Sequence, residues 1–172
     1  MVPVLMFPIL KRYTGVLTLG YVVFRGELEA FIYLTQVIGW FSLHLIRQGY
    51  VVAITTGVFY FQALGDLILQ AHYQIDQVLT IVFILGALMF YYLLYQSKLV
   101  PRWLSGWGLL AAIPYFVSGD LGLLTLFSPM STDQMVMVFP LAVQEMVLAV
   151  YLNVKGFNLS AVDIKSTKVS VI

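Results

Sequence analysis

Four ionisable side chains interrupt long apolar stretches of the sequence, and they are the residues best placed to do chemistry. They are Arg25, Glu27, Glu29 and Glu145. A charge at the centre of a membrane-embedded helix costs about 2.5–3.5 kcal/mol on insertion scales, so it has to be compensated. Such residues mark either a functional polar site or an ion pair that fixes helix packing.

Arg25 and Glu29 are four residues apart, so they share a helical face and can pair along the helix. At about 100° per residue, the same narrow stripe also holds further polar side chains. These are Thr14, Thr18, Gln36 and Arg47. The pattern predicts a polar seam that faces protein or water rather than lipid.

Glu145 is the expected partner of Arg25 from another helix. A rise of about 1.5 Å per residue from the basic boundary puts Arg25 about 18 Å deep and Glu145 about 15 Å deep. Ala142 and Ala149 flank Glu145 on its own face and favour a close helix approach. Two interpretations stay open here, a static ion pair that fixes helix register and a site for a ligand or a proton.

Glu27 projects about 200° away from Arg25 on a regular helix, so it leaves the polar seam. It needs another helix, a partner chain or protonation. We expect contact in a homo-oligomer, or cover by another helix, rather than a catalytic role.

A second polar group is expected towards the outer interface. Asp120 lies at a depth comparable with that of Glu29, and Gln62 and Asp66 approach the same region from a different segment. Together they predict an outward vestibule. Snorkelling of Asp120 to interfacial water explains its position equally well.

The sequence lacks the residues on which most catalytic and metal-binding sites depend. The chain has no cysteine, and His72, Asp76 and His44 make only a weak metal pattern. Neither HExxH nor GxSxG occurs, so we predict no catalytic residue, no metal and no cofactor. A net charge of +1 without a basic patch argues against a nucleic-acid partner.

The composition indicates that most of the chain is surrounded by the lipid bilayer rather than by water. Of 172 residues, 61% are hydrophobic and only 10% are charged. Four apolar runs are long enough to cross, at about residues 15–46, 77–97, 103–127 and 135–154. Helices are required because backbone polar groups in lipid must be satisfied within the segment. Residues 1–12 reach only part of the way and predict a partial N-terminal helix.

The basic residues indicate the orientation of the chain. If the four runs alternate in direction, one side holds nearly all of them, namely Lys11, Arg12, Lys98, Arg102, Lys155, Lys165 and Lys168. Only Arg47 falls on the other side. The positive-inside rule then predicts a multi-pass protein of a prokaryotic inner or plasma membrane, with a cytoplasmic C-terminus. The group formed by Tyr91, Tyr92 and Tyr95 is expected at the inner interface.

Residues 57–73 have the periodicity of an amphipathic helix. Gln62, Asp66, Gln70 and Tyr73 share one face, opposite a face of leucine, isoleucine and alanine. This helix is expected to lie in the outer interface or to cap the bundle as a lid. Residues 1–158 are thus expected to form one transmembrane domain, followed by a flexible cytoplasmic tail at 159–172.

Three stretches resemble a known family. They are FQALG at 61–65, GALMFYYLLYQSKLVPRWLSGWG at 86–108 and LAVQEMVLAVYLNVKGFN at 141–158, joined by GYVVFR at 20–25. The chain resembles the prokaryotic membrane proteins of domain of unknown function 4386 from about residue 8 to 158. The resemblance implies six spans in typical members, so we expect this chain to lack the first span and most of the second. It implies no reaction, cofactor or partner.

The fold class predicted is all-α, a polytopic transmembrane bundle of four full spans, a partial N-terminal helix and one amphipathic interfacial helix. We predict a binding or transport-like protein whose buried polar pocket holds a small anionic or amphipathic molecule or a proton. The alternatives are a structural or accessory subunit and, least favoured, an intramembrane enzyme that uses Glu145. The candidate ligand-binding residues are Arg25, Glu29, Gln36, Gln62, Asp66, Asp120 and Glu145.

Overall fold

A computed structural model describes residues 2–52, 57–124 and 131–158, and in these segments every regular element is a helix. The elements are α1 (Val2–Leu10), α2 (Gly15–Val22), a π-helical segment (Val23–Leu28), α3 (Glu29–Val52), α4 (Val58–Ser97), α5 (Arg102–Leu123) and α6 (Thr132–Lys155). The all-α prediction is confirmed. The tail predicted at 159–172 and the last residues of the predicted span 103–127 lie outside the described residues.

Two of the helical stretches are much longer than a bilayer requires. From Gly15 to Val52 the chain is helical for 38 residues, and α4 has 40. The prediction of a separate amphipathic helix at 57–73 was wrong, because α4 joins it to the predicted span 77–97 without a break. Residues 66–85 contain neither proline nor glycine, so nothing in the sequence stops the helix once it has formed.

Three of the described helices are long and apolar enough to cross a membrane. They are Gly15–Val52, Val58–Ser97 and Thr132–Lys155. The helix α5 is not among them, because its glycines, serines, tryptophans and Pro114 dilute an otherwise apolar sequence. The described helices are therefore compatible with a membrane protein, and three of the four predicted spans are supported by length and composition; the prediction of four full spans is not confirmed.

The helix α4 is the centre of the packing. One side of it packs against α2, the π-helical segment and α3, and another packs against α5, which in turn packs against α6. Glycines allow the α4–α5 contact to be close, because a Cβ at Gly108, Gly119 or Gly122 would meet a side chain of α4 within 3 Å. Small residues at such contacts are typical of helix packing in membranes.

Basic residues gather at one end of the bundle. The hydroxyl of Thr14 donates to Gln96 at 3.1 Å, and the backbone N–H of Asn158 donates to the carbonyl of Leu99 at 2.9 Å. These bonds bring together the α1–α2 turn, the α4–α5 turn and the end of α6. The described basic residues beside these three points are Lys11, Arg12, Lys98, Arg102 and Lys155.

At the opposite end, two helices project beyond the others. Gln77 of α4 lies against Gly122 near the end of α5, and the side-chain amide of Gln134 near the start of α6 donates to it at 3.5 Å. From Gln77 back to Val58, α4 continues for roughly 28 Å at about 1.5 Å per residue. The helix α3 packs alongside this part of α4. We call residues 36–52 and 57–76 the helical hairpin.

The glycine at 108 gives a prediction with a control two residues away. A Cβ at Gly108 would lie 2.7 Å from the ring of Tyr91, whereas a Cβ at Gly106 would meet nothing within 4 Å. We expect Gly108→Ala to lower the free energy of unfolding by about 1–3 kcal/mol through overpacking. The Gly106→Ala variant should be neutral or slightly stabilised, by up to about 1 kcal/mol.

Thermal unfolding of the purified protein, followed by tryptophan fluorescence, measures the difference between these variants. Equal unfolding temperatures for the two would contradict the close α4–α5 contact.

Candidate functional site

Arg25 lies on the π-helical segment, where it meets α4. A Cβ at Gly86 would be 3.2 Å from the Cβ of Arg25 and 3.3 Å from its backbone nitrogen, so a larger residue would require these atoms to shift by a few tenths of an ångström. The segment Val23–Leu28 interrupts the regular α-helical spacing. Such π-helical turns occur frequently at functional sites.

Three groups surround the guanidinium of Arg25. Its Nη2 donates to Oε1 of Glu145 at 3.3 Å, and its Nη1 faces Oε2 of Glu29 at 3.6 Å. The ring of Phe83 lies below it, with the guanidinium carbon 3.7 Å from the ring centroid, a cation–π contact. Arg25 and Glu145 therefore meet, as their matching depths predicted.

Within the described segments, Glu145 accepts hydrogen bonds through only one of its two carboxylate oxygens. Oε1 accepts from Arg25 and also from the hydroxyl of Tyr91, at 3.4 Å. Oε2 accepts no hydrogen bond from any residue that the structure describes. The Glu145 side chain is 37% exposed, compared with 14% for Glu29. One carboxylate oxygen is thus open to a bound molecule.

The open side of Glu145 borders a cavity of about 370 Å³, which we call the polar cleft. Its size is at the lower end of the range of about 300–1,000 Å³ for small-molecule sites. It lies between the N-terminal helices and α6, which do not pack extensively against each other. The lining residues are Pro3, Tyr21, Arg25, Glu29, Ala87, Phe90, Tyr91, Glu145, Leu148, Ala149 and Leu152.

Aromatic rings form one wall of the polar cleft. Tyr21 and Phe90 stack with centroids 4.9 Å apart and an interplanar angle of 16°. Phe90 and Tyr91 lie 5.8 Å apart at a tilt of 49°. With Leu148 and Leu152 on α6, these rings make the cleft amphipathic, because its charged groups occupy one part and apolar surface the rest.

The other candidate residues lie elsewhere. The side-chain amide of Gln36 donates to Asp76 at 3.0 Å, which joins α3 to α4 at the base of the helical hairpin. Gln62 and Asp66 are exposed further out on that hairpin, and Asp120 is partly exposed near the end of α5. Among the described residues, no hydrogen bond or ion pair connects the side chains of these five residues to the polar cleft.

The predicted vestibule is consequently absent from the described part of the chain, and residues 57–73 form no lid over the cleft. Continuity of α4 is the reason. An unbroken helix carries Asp66 roughly 16 Å beyond Gln77 at about 1.5 Å per residue, whereas a lid would have to turn back over the bundle.

Glu27 is exposed and does not line the polar cleft, which agrees with its predicted divergence from the polar seam. In the segments that the structure describes, no side chain forms a hydrogen bond or ion pair with it. A homo-oligomer contact through its face stays a prediction.

The residues of the weak metal pattern lie on the helical hairpin or at its base; they are His44, His72 and Asp76. The ring of His72 lies edge-on to that of Trp40 with centroids 4.9 Å apart, and its buried Nδ1 has no hydrogen-bond partner among the described residues. The same part of the chain holds no group of three or more histidine, cysteine, aspartate or glutamate side chains placed to bind a metal ion.

Sequence reasoning missed the aromatic residues that contact the charged group. We expected Tyr91 at the inner interface with Tyr92 and Tyr95, but it is 1% exposed, whereas the other two are 47% and 41% exposed. The reason is that successive residues of a helix point about 100° apart, so neighbouring tyrosines face different surroundings. The four-residue spacing of Phe83, Ala87 and Tyr91 was a signal that they share one face.

Stability measurements separate the roles of the charged residues. We expect Arg25→Gln to cost up to about 3–5 kcal/mol, because two carboxylates would then face each other without a cation. Glu145→Gln should cost only about 1 kcal/mol, because the amide can still accept hydrogen bonds and Arg25 keeps Glu29. Glu27→Gln is the matched control and should leave stability unchanged.

Thermal unfolding of all three variants is the measurement. If Glu145→Gln is as damaging as Arg25→Gln, the ion pair between them is a structural requirement, and the expectation of a spare ligand-binding oxygen is wrong.

Comparison with known proteins identifies the family of the chain. A family model described as "Domain of unknown function (DUF4386)" matches residues 1–156. No curated protein and no solved structure matches the chain. The match covers the motif at 86–108, all but the last two residues of the motif at 141–158, and every residue that lines the polar cleft. The chain therefore belongs to the DUF4386 family.

Proposed function

We propose that this protein is a multi-pass membrane protein that binds a small amphipathic molecule in the polar cleft, in a binding or transport-like role. The observation that carries the proposal is the Arg25–Glu145 ion pair at the edge of a cavity of about 370 Å³, with one oxygen of Glu145 unused. A pocket with a few convergent polar groups on apolar walls is the usual form of a small-molecule site.

The surroundings of the ion pair support binding over packing alone. Ala87 and Ala149 line the polar cleft at positions where larger apolar side chains would fill it. Ala149 is exposed, so the polar cleft opens to the surface and a small molecule can reach the carboxylate of Glu145 from outside. An accessible space beside a few polar groups is the usual form of a binding site.

The proposal includes four membrane crossings and a cytoplasmic C-terminus. The support for it is the gathering of the α1–α2 turn, the α4–α5 turn and the end of α6 at one basic end of the bundle. Under the positive-inside rule this end is cytoplasmic. The helix α5 has 22 residues and is about 33 Å long, which matches the thickness of the hydrocarbon core. A prokaryotic inner or plasma membrane is the proposed location.

A structural role is the second candidate, and one observation favours it. Arg25 and Glu145 join the π-helical segment to α6, which otherwise packs along α5. The ion pair therefore fixes the position of α6 whether or not a molecule binds. The stability comparison of Arg25→Gln with Glu145→Gln distinguishes the two candidates.

Filling the polar cleft tests the binding function. Ala149→Phe places a ring in the cavity, and Val150→Phe is a matched control because Val150 is 61% exposed and does not line the cleft. We expect at least one six-carbon probe with a cationic, neutral or anionic head group to bind the wild type in lipid nanodiscs. Ala149→Phe should weaken that binding at least tenfold, and Val150→Phe should not.

Calorimetric titration measures this binding. If no probe distinguishes the wild type from Ala149→Phe, the polar cleft is not a binding site.

Single cysteines test the proposed topology, because the chain has none of its own. Lys98→Cys and Lys155→Cys should react with a membrane-impermeant maleimide from the cytoplasmic side. Thr132→Cys, at the start of α6, should react from the other side because α5 separates it from Lys98. Labelling of the Lys98→Cys and Thr132→Cys variants from the same side would show that α5 does not cross.

A further inference from the structure

We propose that the polar cleft selects a protonated amine with a short apolar chain, that is, an alkylammonium ion, as the class of its ligand. This inference rests on the proposed binding function and goes beyond it, because it assigns the charge and the hydrogen-bonding character of the bound head group.

Formal charge argues against an anion. The charged residues that line the polar cleft are one cation, Arg25, and two carboxylates, Glu29 and Glu145. Their sum is one negative charge when all three are ionised. A bound monocation would neutralise the group, whereas an anion would add a third negative charge in a setting of low dielectric constant, where like charges repel strongly.

The guanidinium of Arg25 is also poorly placed to meet an anion. Its Nη2 donates to Glu145, its face covers the ring of Phe83, and its Nη1 makes no hydrogen bond but is buried and faces Glu29 at 3.6 Å. An anionic head group that approached the remaining N–H groups of Arg25 would lie beside two carboxylates that repel it. The cation is therefore a fixed part of the site rather than an open contact for the ligand.

The open group of the cleft is an acceptor. Oε2 of Glu145 takes no hydrogen bond from the described residues, and Oε1 is held by Arg25 and Tyr91. An ammonium N–H can donate to Oε2 in a charge-assisted hydrogen bond, which is roughly twice as strong as one between neutral groups. The hydroxyl oxygen of Tyr91 is a second acceptor nearby.

The aromatic wall suits a cation with an apolar chain. Phe90 is partly exposed in the same cavity as Glu145, and its π system attracts a positive charge, with the nearly buried rings of Tyr21 and Tyr91 beside it. Leu148 and Leu152 offer apolar contact for the rest of the molecule. A primary ammonium uses both the aromatic and the carboxylate contacts, whereas a quaternary ammonium cannot donate a hydrogen bond and should bind more weakly.

Four probes that share a six-carbon chain test the assignment on the wild-type protein in nanodiscs of zwitterionic lipid at pH 7. They are hexylammonium, hexyltrimethylammonium, 1-hexanol and hexanoate, each titrated calorimetrically. We expect hexylammonium to bind most tightly, hexyltrimethylammonium at least threefold more weakly, and hexanoate most weakly. This ranking requires no variant, so it does not depend on whether a mutant folds.

Variants then assign the recognition to one carboxylate. Glu145→Gln should weaken hexylammonium binding at least tenfold and leave 1-hexanol binding unchanged. Glu27→Gln removes a carboxylate from the same part of the chain that does not line the polar cleft, so it should change neither. An equal effect of both variants would mean that general negative charge, not Glu145, attracts the amine.

The remaining outcomes separate this inference from the proposed function. Tighter binding of hexanoate than of hexylammonium, lost in Ala149→Phe, would overturn the ligand class and keep the binding site. Equal binding of all four probes, also lost in Ala149→Phe, would show recognition of the apolar chain alone. If Ala149→Phe removes the binding of none of the four probes, both the assigned ligand class and the proposed binding function are wrong.

Discussion

A guanidinium placed among apolar helices has to be neutralised where it lies, and much of this structure depends on how the chain does so. Arg25 faces Glu29 of its own helix and binds Glu145 of α6, and it lies over the ring of Phe83 on α4. The cation is thereby in contact with three helical elements. Movement of α6 away from the N-terminal helices would break the hydrogen bonds that Oε1 of Glu145 accepts from Arg25 and Tyr91, while Arg25 would keep Glu29.

Glycine makes this arrangement sterically possible. Gly86 lets the π-helical segment reach α4 at Arg25, and Gly108 makes room for the ring of Tyr91, whose hydroxyl binds Glu145. Each contact would require a shift of the neighbouring atoms if the glycine carried a Cβ. The charged group and the close packing of α4 are therefore one structural unit, and substitutions in either should affect the other.

The same arrangement of helices leaves an unfilled space, the polar cleft. The helix α6 packs along α5, and the N-terminal helices pack along α4, so the two groups of helices meet mainly through the side chains at the polar cleft. Compensation of Arg25 by two carboxylates leaves a negative formal charge and a free oxygen beside this space. A static ion pair needs neither of these features, which is why we interpret the site as a place for a ligand rather than only a packing device.

Local properties of the sequence were sufficient for the class of protein and for part of the site. Hydropathy and the absence of strand periodicity predicted an all-helical membrane protein, and the regular rise of a helix placed Arg25 and Glu145 at matching depths. Tertiary structure alone decided the π-helical turn, the continuity of α4, the burial of Tyr91 and the exclusion of Gln62, Asp66 and Asp120 from the cleft. The physical reason is that the depth of a residue follows from counting along one helix. Which neighbour a side chain faces, and where a cavity remains, follow from how side chains of distant segments fit together.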